Sequence, residues 1–164
     1  MDGHALDLAR EIGLKLTRAG WRLATAESCS GGLIGHAVTE IPGSSAYYQG
    51  GLIAYNNAVK SDLLGVAPET LVAFGAVSEP CALEMAGGVR RLIGAEVAIA
   101  TTGIAGPGGG SEHKPVGLVY IAVATPNGAR CDKHVFSGDR ANIKEATAIR
   151  ALEMLSAALG SGTG

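Results

Sequence analysis

The sequence has no excess of basic residues: thirteen Lys and Arg stand against fifteen Asp and Glu, a formal net charge of −2 over 164 residues. Without that excess the chain lacks the cations that usually supply contacts to a phosphate backbone, so nucleic acid is not an expected partner. Cysteine is scarce as well. Cys29, Cys81 and Cys131 are an odd number, lie far apart and form no C-x-x-C pair. Neither a disulfide framework nor a thiolate metal site is therefore expected, which fits a reducing, cytoplasmic setting. Nowhere do about twenty apolar residues stand together. The amino-terminal stretch MDGHALDLAREIGLKL is charged and helical in pattern, so neither a membrane span nor a signal peptide is expected. No two of the histidines (His4, His36, His113, His134) have the spacing of metal ligands, and no metal is expected. Paired carboxylates of the kind glycosidases use are also missing.

What is present is apolar residues, 47% of the chain, and 25 glycines. Average usage would give about twelve glycines. A chain of this length buries roughly 70% of its unfolded surface and needs no staples, so one domain over 1–159 is expected, with a flexible tail at 160–164. A first helix is read over 5–19, where Leu6, Ala9, Ile12, Gly13 and Leu16 recur at helical spacing and Gly20 follows. A strand over 21–27 comes next. Leu33, Ile34, Ala37 and Val38 then share one face of a second helix that stops before Pro42-Gly43. A strand over 47–55 precedes a short helix opened by Asn56-Asn57 and closed at Gly65, with Val59, Leu63 and Leu64 inward. Pro68 suits the first turn of another short helix ending at Gly75. Ser78 suits the N-cap of a longer helix that carries Met85, Val89, Leu92 and Ile93 on one face and stops at Gly94. Two continuous apolar runs, 96–103 and 116–125, have the character of strands covered on both faces. The Pro126-Asn127-Gly128 turn predicts a hairpin into 129–136. Asp139 is placed to cap a last helix with Ile143, Ala146, Ile149 and Leu152 inward. Alternating helices and strands with a late hairpin give the fold class: α/β, a single mixed β-sheet with helices packed on it.

Four segments could carry chemistry. Ala26-Glu27-Ser28-Cys29-Ser30-Gly31-Gly32 lies where a strand ends and a helix begins, and free amides there can hold an anion or an oxyanion; the plain alternative is that Ser30 only caps a helix. Ser45 and, farther along, Tyr55 and Lys60 offer a hydroxyl and an amine. A lysine desolvated by its surroundings can act as a neutral base for a serine, although most helical lysines are solvated surface charges. The segment from Thr101 and Thr102 through Gly103, Gly106 and Gly108 to Ser111 leaves a buried strand at its carboxyl end, the edge where open α/β sheets bind ligands. It has neither the Gly-Lys-Ser/Thr ending of a P-loop nor a helix that would complete a dinucleotide fingerprint, and a long tight turn is the alternative. Arg140, at the start of the last helix, is suited to clamp a phosphate or carboxylate, or else to pair with Glu145.

Taken in order, AESCSGG, IPGSSAYYQGGLIAYNNAVK, LGV, GAVSEP, TGIAGPGGGSEHKPVG and FSGDR closely resemble the carboxy-terminal domain of the competence-inducible CinA family. The resemblance covers roughly residues 5–159. It departs from the family pattern little, at Ser30 and His113. The family's amino-terminal domain has no counterpart in this sequence, so the resemblance lends no pyrophosphatase activity. It implies instead the activity of the short stand-alone members: hydrolysis of nicotinamide mononucleotide (NMN) to nicotinate mononucleotide and ammonia, with no cofactor, by a Ser-Lys acyl-enzyme mechanism. The implied residues are Ser28, Ser45, Tyr55, Lys60 and Arg140. Ser45 is assigned as nucleophile and Lys60 as its base. Ser28 supports the oxyanion or, as the second assignment, exchanges roles with Ser45. Tyr55 orients the lysine or the pyridine ring. Ser30, Gly31, Gly32, Thr102, Gly103, Gly106 and Gly108, with Arg140, are expected around the substrate. A homodimer is the expected assembly. Two alternatives keep the site and change the outcome: a pyridine-nucleotide-binding module without turnover, or an amidase for another small amide.

Overall fold

Glycines and caps cut the chain where the hydrophobic pattern changes period. In the computed structural model, which describes residues 3–160, the elements are α1 (Gly3–Ala19), β1 (Leu23–Glu27), α2 (Leu33–Thr39), a 3₁₀ turn (Ser44–Ala46), β2 (Tyr48–Ile53), α3 (Asn57–Asp62), α4 (Pro68–Phe74), α5 (Glu79–Ile93), β3 (Val97–Gly103), β4 (Leu118–Thr125), β5 (Gly128–Val135) and α6 (Arg140–Ala158). The caps are those the sequence predicts: the Asn56 and Ser78 side chains accept amides of the first turns they precede, and Asp139 forms a reciprocal box with Asn142. Two residues expected inside are exposed, Leu63 and Leu92. Helix α3 ends at Asp62, which leaves Leu63 outside its apolar stripe. The seam that α5 buries runs from Cys81 to Val89, and Leu92 lies beyond it. The tail expected at 160–164 falls, apart from Gly160, outside the described residues.

The sheet has five strands in the order β2-β1-β3-β4-β5. β1 runs parallel to both β2 and β3, whereas β3–β4 and β4–β5 are antiparallel. The mixed α/β domain expected from the sequence is the one observed. Alternation along the strands gives the two faces different textures. One face presents Leu23, Val97, Ile99, Val119, Ile121 and Val123 to α1, α2 and α6. The other presents Ala24, Ala26, Ala98, Ala100, Ala122 and Ala124, on which α5 lies with Ala82, Met85, Ala86 and Val89. Among the described residues no helix is long and apolar enough to cross a membrane.

From β1 the chain crosses by α2 to β2 on one side, then returns by α3, α4 and α5 to β3 on the other side. The order of the sheet therefore reverses at β1, and the connections leave its carboxyl end on opposite faces. A crevice opens at such a switch point, outside the strand ends. The carboxyl ends of β1 and β3 border it, bringing Ser28 beside Thr101, Thr102 and Gly103; the Ser28 amide donates to the Thr101 carbonyl at 3.0 Å.

Candidate active site

Glu27 and Ser28 are consecutive and point to opposite faces of the sheet. Glu27, 2% exposed, turns toward α2. Its carboxylate accepts the Ser30 hydroxyl (2.7 Å) and the amides of Gly32 (2.9 Å), Ile34 (3.2 Å) and Gly35 (2.9 Å). The start of α2 is thus filled by the chain's own anion. Gly31 and Gly32 bend the backbone into this clasp with φ of 62° and 98°, a region L side chains rarely enter. Ser30 is also bonded to the Thr101 hydroxyl at 2.8 Å.

Ser28 faces the other way, toward α3, where the Lys60 Nζ donates to its Oγ at 3.2 Å. Lys60 is 2% exposed and its amine also donates to the carbonyls of Ala54 (2.8 Å) and Tyr55 (3.2 Å). No carboxylate pairs with it among the described residues. Burial therefore holds the Lys60 amine below its ordinary value, opposed only by the neighbouring Cys81 and Cys29 thiols, since removal from water disfavours the charged form. The same burial pushes the Cys29 thiol up to about 12 and Cys81 to about 11. Both values lie well above neutral pH, and the side-chain hydroxyl that the Lys60 amine meets is that of Ser28. Ser28 and Lys60 open into a cavity of about 220 Å³ that Tyr55, Asn57, Val77 and Gly103 also line.

Ser45 is elsewhere. It sits exposed in the 3₁₀ turn ahead of β2, whereas Lys60 follows the other end of that strand. Six residues of strand span roughly 20 Å. Within the chain, the partner brought to Lys60 is therefore Ser28 and not Ser45. The Tyr55 carbonyl, not its phenol, meets the lysine. The phenol accepts from the Arg140 Nη2 at 2.9 Å, while the Arg140 Nη1 donates to the Gly106 carbonyl at 2.7 Å. Arg140 thereby ties α6 to the glycine-rich loop and to the rim of the cavity. The Thr102 hydroxyl is taken by the Ala76 carbonyl at 2.8 Å, so Thr102 braces the wall on which Val77 stands. Gly103 lines the cavity, and Gly108 is exposed in the open part of its loop. Ser30, Gly31 and Gly32 build the clasp around Glu27.

Sequence reasoning assigns no role in the site to three participants. Asn57 counted only as a helix opener, and Val77 sits in an unremarkable apolar context. Glu27 did leave a signal: it is the single charge in a strand, LATAE, that is buried along its whole length.

Residues 5–159 match the CinA C-terminal domain family. The nicotinamide-nucleotide amidohydrolase PncC of Enterobacter agglomerans is 47% identical over 148 residues, covering 90% of either chain. A CinA-like protein of Syntrophobacter fumaroxidans is 50% identical over 148 residues, but there the match covers only 35% of the relative. The chain thus spans about a third of the length of such longer relatives. Among solved structures, the competence/damage inducible protein CihA of Agrobacterium tumefaciens superposes with a TM-score of 0.94 at 48% identity, covering 98% of both chains.

Proposed function

The chain belongs to the CinA C-terminal domain family, and from that premise we propose that it hydrolyses the carboxamide of NMN to nicotinate mononucleotide and ammonia. The observation that carries the reading is the buried Lys60 amine 3.2 Å from the Ser28 hydroxyl, with no carboxylate among the described residues to hold it charged. The full-length similarity to a relative named for nicotinamide-nucleotide hydrolysis supplies the substrate.

In this reading Ser28 is the nucleophile and Lys60 its base. The Ser28 Oγ attacks the carboxamide carbon and its proton passes to the Lys60 Nζ. As the tetrahedral adduct collapses, the C–N bond breaks and Lys60 returns that proton to the leaving amide nitrogen, which departs as ammonia. Water then attacks the acyl-Ser28 ester, giving a proton to Lys60; the ester bond breaks, the carboxylate is released and Ser28 regains its proton. Arg140 and the rim at Tyr55 and Gly106 hold the nucleotide beyond the ring. The same reading includes a cytoplasmic setting and a homodimer; β2 and β5 are edge strands available to a second copy, and sedimentation would measure that assembly.

Purified protein mixed with NMN should release ammonia and nicotinate mononucleotide in equal amounts. Ser28→Ala and Lys60→Ala should each lower kcat by on the order of a thousandfold or more, with the fold intact by circular dichroism. Substantial turnover in either variant would overturn the dyad, and NMN binding without ammonia release would leave only a binding module.

A further inference from the structure

Beside the Ser28 cavity, α6 carries a second cation that the mechanism does not use. Lys144 follows Arg140 by four residues, so the two side chains share one face of the helix. Together with Leu33, Ala141 and Glu145 they line a cleft of about 500 Å³. Arg140 also borders an adjoining cavity of about 590 Å³, walled by Pro107, Val116 and Gly138, that shares Ala105 with the Ser28–Lys60 cavity. The three spaces thus adjoin in series, the inner two meeting at Ala105 and the outer two at Arg140 and Ala141.

Lys144 is half-buried, yet its ammonium has no hydrogen-bond or ion-pair partner among the described residues. It hangs over the turn that carries Ser28: a methyl on Gly31 would lie 3.2 Å from its Nζ. The ammonium itself is open to solvent, at the wall of the cleft, where an anion entering the cleft can meet it. Arg140 has spare capacity as well, since its bonds to Gly106 and Tyr55 use two of five N–H groups. A phosphomonoester carries about −1.5 to −2 charges at pH 7. It matches two cations one helical turn apart, even with the Glu145 carboxylate on the rim and the capping Asp139 nearby.

We propose that Lys144 and Arg140 form the seat of the substrate's terminal phosphomonoester, and that Lys144 makes the chain select a mononucleotide over its nucleoside. This inference rests on the amidohydrolase reading for the identity of the ligand, but its test is separable. Titration calorimetry on the Ser28→Ala protein, which holds substrate without turning it over, compares NMN with nicotinamide riboside. Lys144→Ala in that background should weaken NMN binding by about tenfold or more, given the strength of charge-assisted bonds, and leave the riboside where it was. Lys144→Arg should restore most of the loss. Equal NMN affinity with and without Lys144, or an equal loss for both ligands, overturns the proposal. Should Lys144→Ala melt early, Lys144→Gln carries the same comparison. Failure of the wild-type protein to release ammonia from NMN counts against the amidohydrolase reading alone, because the phosphate dependence of binding is still read directly.

Discussion

At the scale of single residues, the proposed mechanism turns on the state of Lys60. A neutral amine keeps two hydrogens and one lone pair. The Ala54 and Tyr55 carbonyls take the two hydrogens, which leaves the lone pair for the Ser28 proton. Burial favours this neutral form by lowering the amine's affinity for protons. Activity needs the base unprotonated, so kcat/KM should climb as pH rises through the lowered Lys60 value and then level off, with its midpoint below that of a free lysine, about 10.4. Initial rates of ammonia release across the alkaline range measure this. Lys60→Arg should be inactive at every pH, because a guanidinium does not give up its proton; recovery of activity at high pH would mean that Lys60 acts as a charge and not as a base. Glu27 is the complement on the other face, a carboxylate held by three amides and a hydroxyl with no cation paired to it among the described residues.

Elements explain why some of this was legible and some was not. The two apolar runs, the Asn-Gly hairpin and the capped helix starts each depend on neighbours in sequence, and all appear where the residues predict them. The pairing of Ser28 with Lys60 depends on β1 and α3 meeting across the crevice, a contact between residues 32 apart in the chain. Ser45 is closer to Lys60 in sequence, but β2 lies between them and carries them to opposite ends of the strands. The alanine-lined face is another long-range fact: alanines on three strands are individually unremarkable until the sheet aligns them. Helix α5 also passes close to the turn after α3, where Gly88 meets the Leu64 carbonyl, which a methyl group would overlap. Gly88→Ala should therefore destabilise the fold by about 1–3 kcal/mol, seen as an earlier midpoint in urea, whereas the nearby Gly87, which faces only the Arg91 side chain, should tolerate alanine better.

Across the whole molecule the two ends of the sheet have different tasks. Carboxyl ends of β1 and β3 hold the site; at their amino ends Arg22 and Glu96 brace the same strands from outside, through a bond from the Arg22 amide to the Glu96 Oε2 and a two-pronged guanidinium contact. The Arg22 side chain is the first cause that holds the Glu96 carboxyl down at about 2. Because that value is depressed in the folded state, its stabilisation is present above the ordinary glutamate range and fades as pH falls toward 2. The pair is exposed, so solvent screens most of the effect. Arg22→Ala should lower the melting temperature slightly at neutral pH, with the difference from wild type closing in acid, and NMN turnover should be unaffected; a lost turnover would mean that the far edge communicates with the crevice. At the near edge, the pleat of β1 works as a reading frame. Glu27 must fall on the helix-clasping phase and Ser28 on the reacting phase, and Thr101 and Thr102 divide in the same way on β3. One residue inserted into β1 would exchange the phases and deliver a carboxylate to Lys60 in place of a hydroxyl. The ammonium would then be locked by an ion pair, the α2 amides would lose their anion, and a domain with every catalytic side chain still present would be both inert and unclasped.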